Sequence, residues 1–151
     1  PDHARLRPWR FLILAGDQRK DLGELMAKVK QQKQTLSAVD IEKLTNKPLR
    51  APLIICIVAH LQDHPKAPRS AQLLSAGCAA NNILHAASAM GFGAIWRTGG
   101  LSFEPALWQG MGLAQNEELV GFIYIGTREG EPKPLPDLDT TDYCLPWPTK
   151  N

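Results

Sequence analysis

The sequence predicts a layered domain of α/β or α+β class, and three observations predict it. Short β-branched apolar runs alternate with amphipathic stretches in the order β α α β α β α β. No segment repeats, and no flexible linker divides the chain. At 151 residues, 44% hydrophobic and 21% charged, the composition suits a single core spanning 1–151. Folding a chain of this size removes about 70% of its surface from water, so neither disulfides nor a metal is needed to supply that core.

The elements follow in order. Phe11-Leu12-Ile13-Leu14, within the apolar segment Trp9 to Ala15, reads as a buried strand closed by Ala15-Gly16-Asp17. Asp17 is placed to cap a helix in which Leu22, Leu25, Met26 and Val29 share one face and Lys and Gln fill the other. Ser37 is placed to cap a second, short helix carrying Val39, Ile41 and Leu44, ended by Pro48. Pro52 to Ala59 is apolar throughout, as a central strand covered on both faces should be.

Pro68 suits the first turn of a helix reaching Met90, with Gly91 to stop it. That helix would be about 34 Å long. After Arg69 it has no Asp, Glu, Lys or Arg, and Ala, Ser and Gly occupy most of its surface. A helix without a charged face is normally buried all round. One small domain cannot easily bury it, so a homodimer interface through this helix is expected. Phe92 to Arg97 reads as a buried strand, Glu104 to Leu113 as a short helix, and Leu119 to Ile125 as a strand ending at Gly126. Residues 129–151 hold Pro132, Pro134, Pro136, Pro146 and Pro148, so the tail should be extended. Its Tyr143, Leu145 and Trp147 would waste apolar area in water, which predicts a tail lying across the partner subunit.

Composition excludes several classes of function. Lys and Arg number 17 against 15 Asp and Glu, a net charge of +2 with no basic run, which does not call for nucleic acid. Pro52 to Ala59 is far short of the roughly 20 apolar residues of a membrane helix. Cys56, Cys78 and Cys144 lack CxxC spacing, as expected of reduced thiols in a cytoplasmic protein. No Walker loop, GxGxxG or GxSxG is present. His60 and His64 stand four apart but beside Pro65, which suits surface-loop histidines better than a metal site. His85 reads as a core or interface histidine and Cys78 as an inert buried thiol. With no nucleophile or acid–base pair in view, any catalysis would rest on a cofactor and no catalytic side chain is expected.

Two segments stand out. Pro1-Asp2-His3-Ala4-Arg5-Leu6-Arg7-Pro8 places His3, Arg5 and Arg7 in a loop just before a strand, where ligands are commonly held. Trp96-Arg97-Thr98-Gly99-Gly100 ends a strand with a cationic fork and an open backbone that can approach a flat ligand. The bland alternatives are a frayed terminus and a turn whose Arg97 pairs with a local carboxylate.

Taken with Arg50-Ala51-Pro52-Leu53-Ile54-Ile55, Ser75-Ala76-Gly77-Cys78-Ala79, Gly91-Phe92-Gly93-Ala94-Ile95 and Gly121-Phe122-Ile123-Tyr124-Ile125-Gly126-Thr127, these segments occur in an order that resembles the FMN-dependent nitroreductase family, in its minimal YdjA-like branch. The resemblance implies an α+β fold, a mixed and mainly antiparallel sheet flanked by helices, and an intertwined homodimer with FMN at the subunit interface. It implies cofactor-binding roles for His3, Trp96, Arg97 and Thr98, the last keeping the hydroxyl of a family serine. NAD(P)H would be the reductant and a nitroaromatic, quinone or similar small molecule the acceptor. The family's Arg-Arg-Ser helix, whose cations hold the FMN phosphate, has no match in this chain, so the resemblance predicts an N-terminal segment ahead of Pro1. Two such charge-assisted hydrogen bonds, at about 1.5–3 kcal/mol each, amount to roughly 100-fold or more in FMN affinity. The competing expectations are a flavin-binding or storage dimer without significant turnover, and a purely structural interaction domain.

Overall fold

A computed structural model describes residues 1–131 and 134–147. The four strands are β1 (Trp9–Ala15), β2 (Leu53–His60), β3 (Phe92–Arg97) and β4 (Glu117–Thr127). They form one sheet in the order β1-β2-β4-β3, and every neighbouring pair is antiparallel. The helices are α1 (Gln18–Gln31), α2 (Ala38–Asn46), α3 (Arg69–Ala89) and α4 (Pro105–Gly110). The observed element order is the expected one, and the fold is the α+β arrangement of an antiparallel sheet between helices.

Strand alternation divides the core into two halves. Ile54 and Cys56 of β2 with Phe122 and Tyr124 of β4 meet Leu22, Met26 and Val29 of α1 and Leu107 of α4 on one face. Ile57 and Ile123 meet Ala80 of α3 on the other, with Ile83, Leu84 and Trp96 packed around them. Because helices cover both faces, Cys56 to Ala59 is buried residue after residue, as a strand at the sheet centre requires. Burial pushes the Cys56 thiol up to about 12, so it stays protonated at neutral pH.

Local chemistry explains most boundaries. Ser37 accepts a hydrogen bond from the Asp40 N–H at 3.2 Å and caps α2 as expected. Asp17 does not cap α1 with its side chain: its φ/ψ is already helical, and only its carbonyl accepts, from the Lys20 and Asp21 N–H groups. Pro68 stands one residue outside α3 in extended conformation, and its carbonyl accepts the Gln72 N–H. Gly91 ends α3 at φ +84°, a conformation a side chain disfavours. In the middle of α1, Gly23 lets α2 approach closely, since a Cβ there would lie 2.8 Å from the Thr45 Cα.

Two expectations change. β1 and β3 are the two edge strands, with Phe11 and Ile13 of the first and Phe92 and Ile95 of the second exposed, so neither is the buried strand expected. α3 is not buried all round within one chain: Leu74 and Met90 are 70% and 72% exposed, and Asn81, His85 and Ala86 also face outward. The tail segment 129–151 is described only in part, and Pro132 and Pro148 lie outside the described residues. Within 134–147, Leu135, Leu138, Tyr143, Leu145 and Trp147 are all exposed. No described helix is long and apolar enough to cross a membrane.

Candidate functional site

Arg97 is the last residue of β3, and alternation turns it to the α1–α2 side of the sheet while Trp96 turns to the α3 side. Arg97, Thr98, Gly99 and Gly100 border a cavity of about 280 Å³ between the sheet and α1–α2. Among the described residues, no backbone hydrogen bond occupies the N–H groups of Thr98, Gly99 or Gly100. A Cβ at Gly99 or Gly100 would meet nothing within 4 Å, so this main chain is open to an approaching molecule. Three free donors beside a cation make a surface that favours electron-rich oxygen or nitrogen atoms.

The rest of the cavity mixes cations with the apolar Met26, Leu44, Leu101 and Phe122 in its lining. Lys30 of α1, Lys47 and Arg50 of the turn after α2, and Arg97 all line it. Tyr124 lines the same cavity: burial raises its phenol's pKa, while the positive charges of Arg50 and Arg97 oppose the rise. Arg50, Arg97 and Tyr124 also border a second, outer cavity of about 570 Å³, which Arg128 joins. Arg97 has no carboxylate partner among the described residues, so the turn-with-ion-pair reading does not hold.

His3 lies elsewhere. It is exposed in a single turn (His3–Arg5) before β1 and lines neither cavity. Its loop is built rather than frayed. The Asp2 carboxylate accepts the Arg7 N–H at 3.0 and 3.2 Å, Gln62 donates to the Leu6 carbonyl, and the His60 N–H donates to the Pro8 carbonyl. Ala4, Arg5 and Arg7 take φ of 60°, 55° and 47°, a left-handed region that costs non-glycine residues free energy.

A half-buried ion pair anchors this end of the sheet. Arg10 of β1 donates twice to Glu117 of β4, at 2.5 and 2.6 Å. Glu117 also accepts the Ala114 N–H at 2.9 Å, and His60 Nδ1 lies 3.2 Å from its other oxygen. The Arg10 hydrogen bond outweighs desolvation and holds the Glu117 carboxyl down to about 2. His60 is therefore the end of a strand and a member of this cluster, not a loop histidine. His64 accepts the Lys66 N–H within its own turn.

Within one chain, then, Arg97 and Thr98 come together while His3 and the Trp96 ring stand apart from them. The indole packs over β4 against Gly77 of α3, and its Nε1 is buried without a hydrogen-bond partner. Spacing alone did not reveal Lys30, Lys47, Arg50 or Tyr124. Lys30 belongs to the face that looked solvated, and the other three read as helix-end or strand residues.

A nitroreductase family model matches residues 1–127. The chain belongs to the nitroreductase family. It is 40% identical over 130 residues to "Putative NAD(P)H nitroreductase YdjA" of Escherichia coli K12, covering 84% of this chain and 69% of that one. A nitroreductase-like family protein from Bacillus cereus superposes with a TM-score of 0.81 at 22% identity, over 99% of this chain and 78% of its own. FMN- and NADPH-dependent nitroreductase NfnB from Sphigopyxis sp. strain HMH superposes with a TM-score of 0.70 at 11% identity, over 96% of this chain and 82% of its own. Both structural likenesses bear on the fold.

Proposed function

We propose that this chain is an FMN-dependent NAD(P)H oxidoreductase that reduces a nitroaromatic, quinone or similar small acceptor as a homodimer. The observation that carries the reading is Arg97, without a carboxylate partner among the described residues, beside main-chain donors at Thr98, Gly99 and Gly100 that no described residue occupies. Family membership supports it, as do the names of the relatives, one specifying NAD(P)H and the other FMN and NADPH. The donor set fits an isoalloxazine edge, which is flat, rich in acceptors and anionic when reduced.

FMN would supply a hydride acceptor at N5 that takes electrons from NAD(P)H and passes them on. The protein's part is binding, orientation and charge. The Arg97 guanidinium places fixed positive charge where negative charge develops, and the Thr98–Gly100 amides are oriented donors that need no reorganisation. Thr98 adds a hydroxyl. Trp96 acts by packing: its indole locks the end of β3 against α3 and so fixes where Arg97 and Thr98 emerge. His3 comes from the second protomer, carried on the strained loop that Asp2 fastens. The uncharged outer face of α3 and the exposed tail residues Tyr143, Leu145 and Trp147 are the surfaces that join the protomers. No side chain here needs to act as nucleophile.

Anaerobic mixing of the protein with FMN and NADH or NADPH tests the reading. Bleaching of the flavin absorbance, faster than for free FMN and followed by turnover of a nitro compound or quinone, is expected. Bleaching no faster than free FMN removes the enzyme. Flavin retention without turnover leaves the storage dimer instead.

A further inference from the structure

The loop that carries His3 is strained, and it is held from outside at two points. Ala4, Arg5 and Arg7 lie in the left-handed region, a conformation that persists only where surrounding contacts over-determine it. Within the loop, the Asp2 carbonyl accepts the Arg5 N–H at 3.1 Å and the Asp2 carboxylate accepts that of Arg7. Among the described residues, hydrogen bonds from beyond β1 reach the loop at two carbonyls. The His60 N–H donates to Pro8 at 3.1 Å, which extends the β1–β2 ladder. Gln62 Nε2 donates to Leu6 at 3.0 Å, off the ladder and inside the strained stretch.

Gln62 is itself locked in place. Its N–H donates to Oε1 of Gln72 at 2.9 Å, and its carbonyl accepts from Gln72 Nε2 at 2.8 Å. Gln72 Nε2 also donates to the Ala67 carbonyl at 2.8 Å. Gln72 lies near the start of α3 and is 2% exposed. A buried amide must find partners, and this one commits both its donor and its acceptor groups to the backbone of one short loop. The reverse orientation would set Oε1 against two carbonyls, so the clamp has a single sense. A chain of contacts thus runs from α3 through the Gln62 backbone and side chain to the His3 loop.

We propose that Gln62, locked by Gln72, is the positioning residue that holds the His3 loop in its strained shape. Its bearing on the reaction rests on the reading that His3 contacts the flavin of the other protomer. α3 is the helix proposed to join the protomers, so the clamp ties the reaching loop to the element that sets where the other protomer lies. Neither glutamine needs to touch the cofactor; each acts through the loop.

Gln62 is exposed, so Gln62→Met removes the donor at constant side-chain length without opening the core. Amide hydrogen exchange of the full chain reads the loop directly. In Gln62→Met the Arg7 and Trp9 N–H groups should exchange about tenfold faster, while those of β2 and β4 keep their rates. Gln62→Lys, which restores a donor, should recover part of the protection. FMN affinity, measured by fluorescence quenching, should fall by about fivefold in Gln62→Met. In a His3→Ala background the same substitution should change it by less than about twofold, because the effect passes through His3. Unaltered exchange in Gln62→Met would overturn the proposal. So would a loss of affinity that persists in full without His3, since Gln62 would then act by another route. Full affinity in His3→Ala alone would instead remove His3 from the flavin site, and the exchange rates would still decide whether Gln62 fastens the loop.

Discussion

Gly121 is the floor on which the Trp96 indole rests. A Cβ at position 121 would overlap Nε1 and come within 2.9 Å of Cδ1 of that ring, and within 3.1 Å of the Arg97 carbonyl. The same glycine sits at a bulge: Ile57 pairs with Gly121 and Val58 with Leu119, so Val120 is the extra residue. The bulge, the indole and the end of β3 thus form one packed unit. Gly121→Ala should force the indole outward and displace Arg97. We expect a loss of about 2–3 kcal/mol, read as a lowered denaturation midpoint, with weaker FMN binding in the molecules that stay folded. An unchanged midpoint would mean that the ring does not occupy this space.

Gly23→Ala tests how α1 and α2 pack. Helix propensity alone favours alanine by about 1 kcal/mol. Here the added methyl would approach backbone atoms of Thr45, which cannot swing aside as a side-chain tip can. The clash should win, giving net destabilisation of about 1–3 kcal/mol by urea denaturation. A more stable variant would show that the two helices can separate freely.

The Arg10–Glu117 pair makes stability depend on acid. The folded carboxyl titrates near 2, below its ordinary 4.5, so its contribution is complete above pH 4.5 and is lost as pH falls toward 2. Glu117→Gln should remove that part of the acid dependence and cost about 2–3 kcal/mol at neutral pH. Stability curves of the two proteins measured from pH 7 to pH 2 should therefore converge at the acid end. Parallel curves would count against the pair.

Ala86→Arg separates folding from assembly. Ala86 is exposed in the single chain, so the new charge finds water there and costs the fold little. At a buried dimer interface the same charge is strongly unfavourable. Sedimentation should show monomers with an unaltered far-UV spectrum. Dimers that persist would move the interface off this face of α3.

Particular residues show what was legible beforehand. β2 was plain because Leu53 to Ala59 has no polar residue, and the caps at Ser37 and Gly91 obey local stereochemistry. The uncharged α3 announced an unsatisfied face, and the isolated chain does expose Leu74 and Met90. Trp96, Arg97 and Thr98 read as one contiguous site in the sequence. Strand alternation could have warned that neighbouring side chains point to opposite faces, and they do. Arg10 and Glu117 are 107 residues apart, so only the sheet order brings them together. Lys30, Lys47 and Arg50 obey the same logic: each is ordinary alone, and their convergence exists only once α1 and α2 are folded over the sheet.

FMN affinity, measured by quenching of flavin fluorescence, tests the central claim most directly when His3→Ala, Arg97→Ala and wild-type protein are compared at one protein concentration. Each substitution should weaken binding by about tenfold, and a mixture of the two variants should recover part of it, because a mixed dimer rebuilds one intact site from His3 of one protomer and Arg97 of the other. Unaltered affinity in both variants would contradict the claim that these two segments hold the flavin.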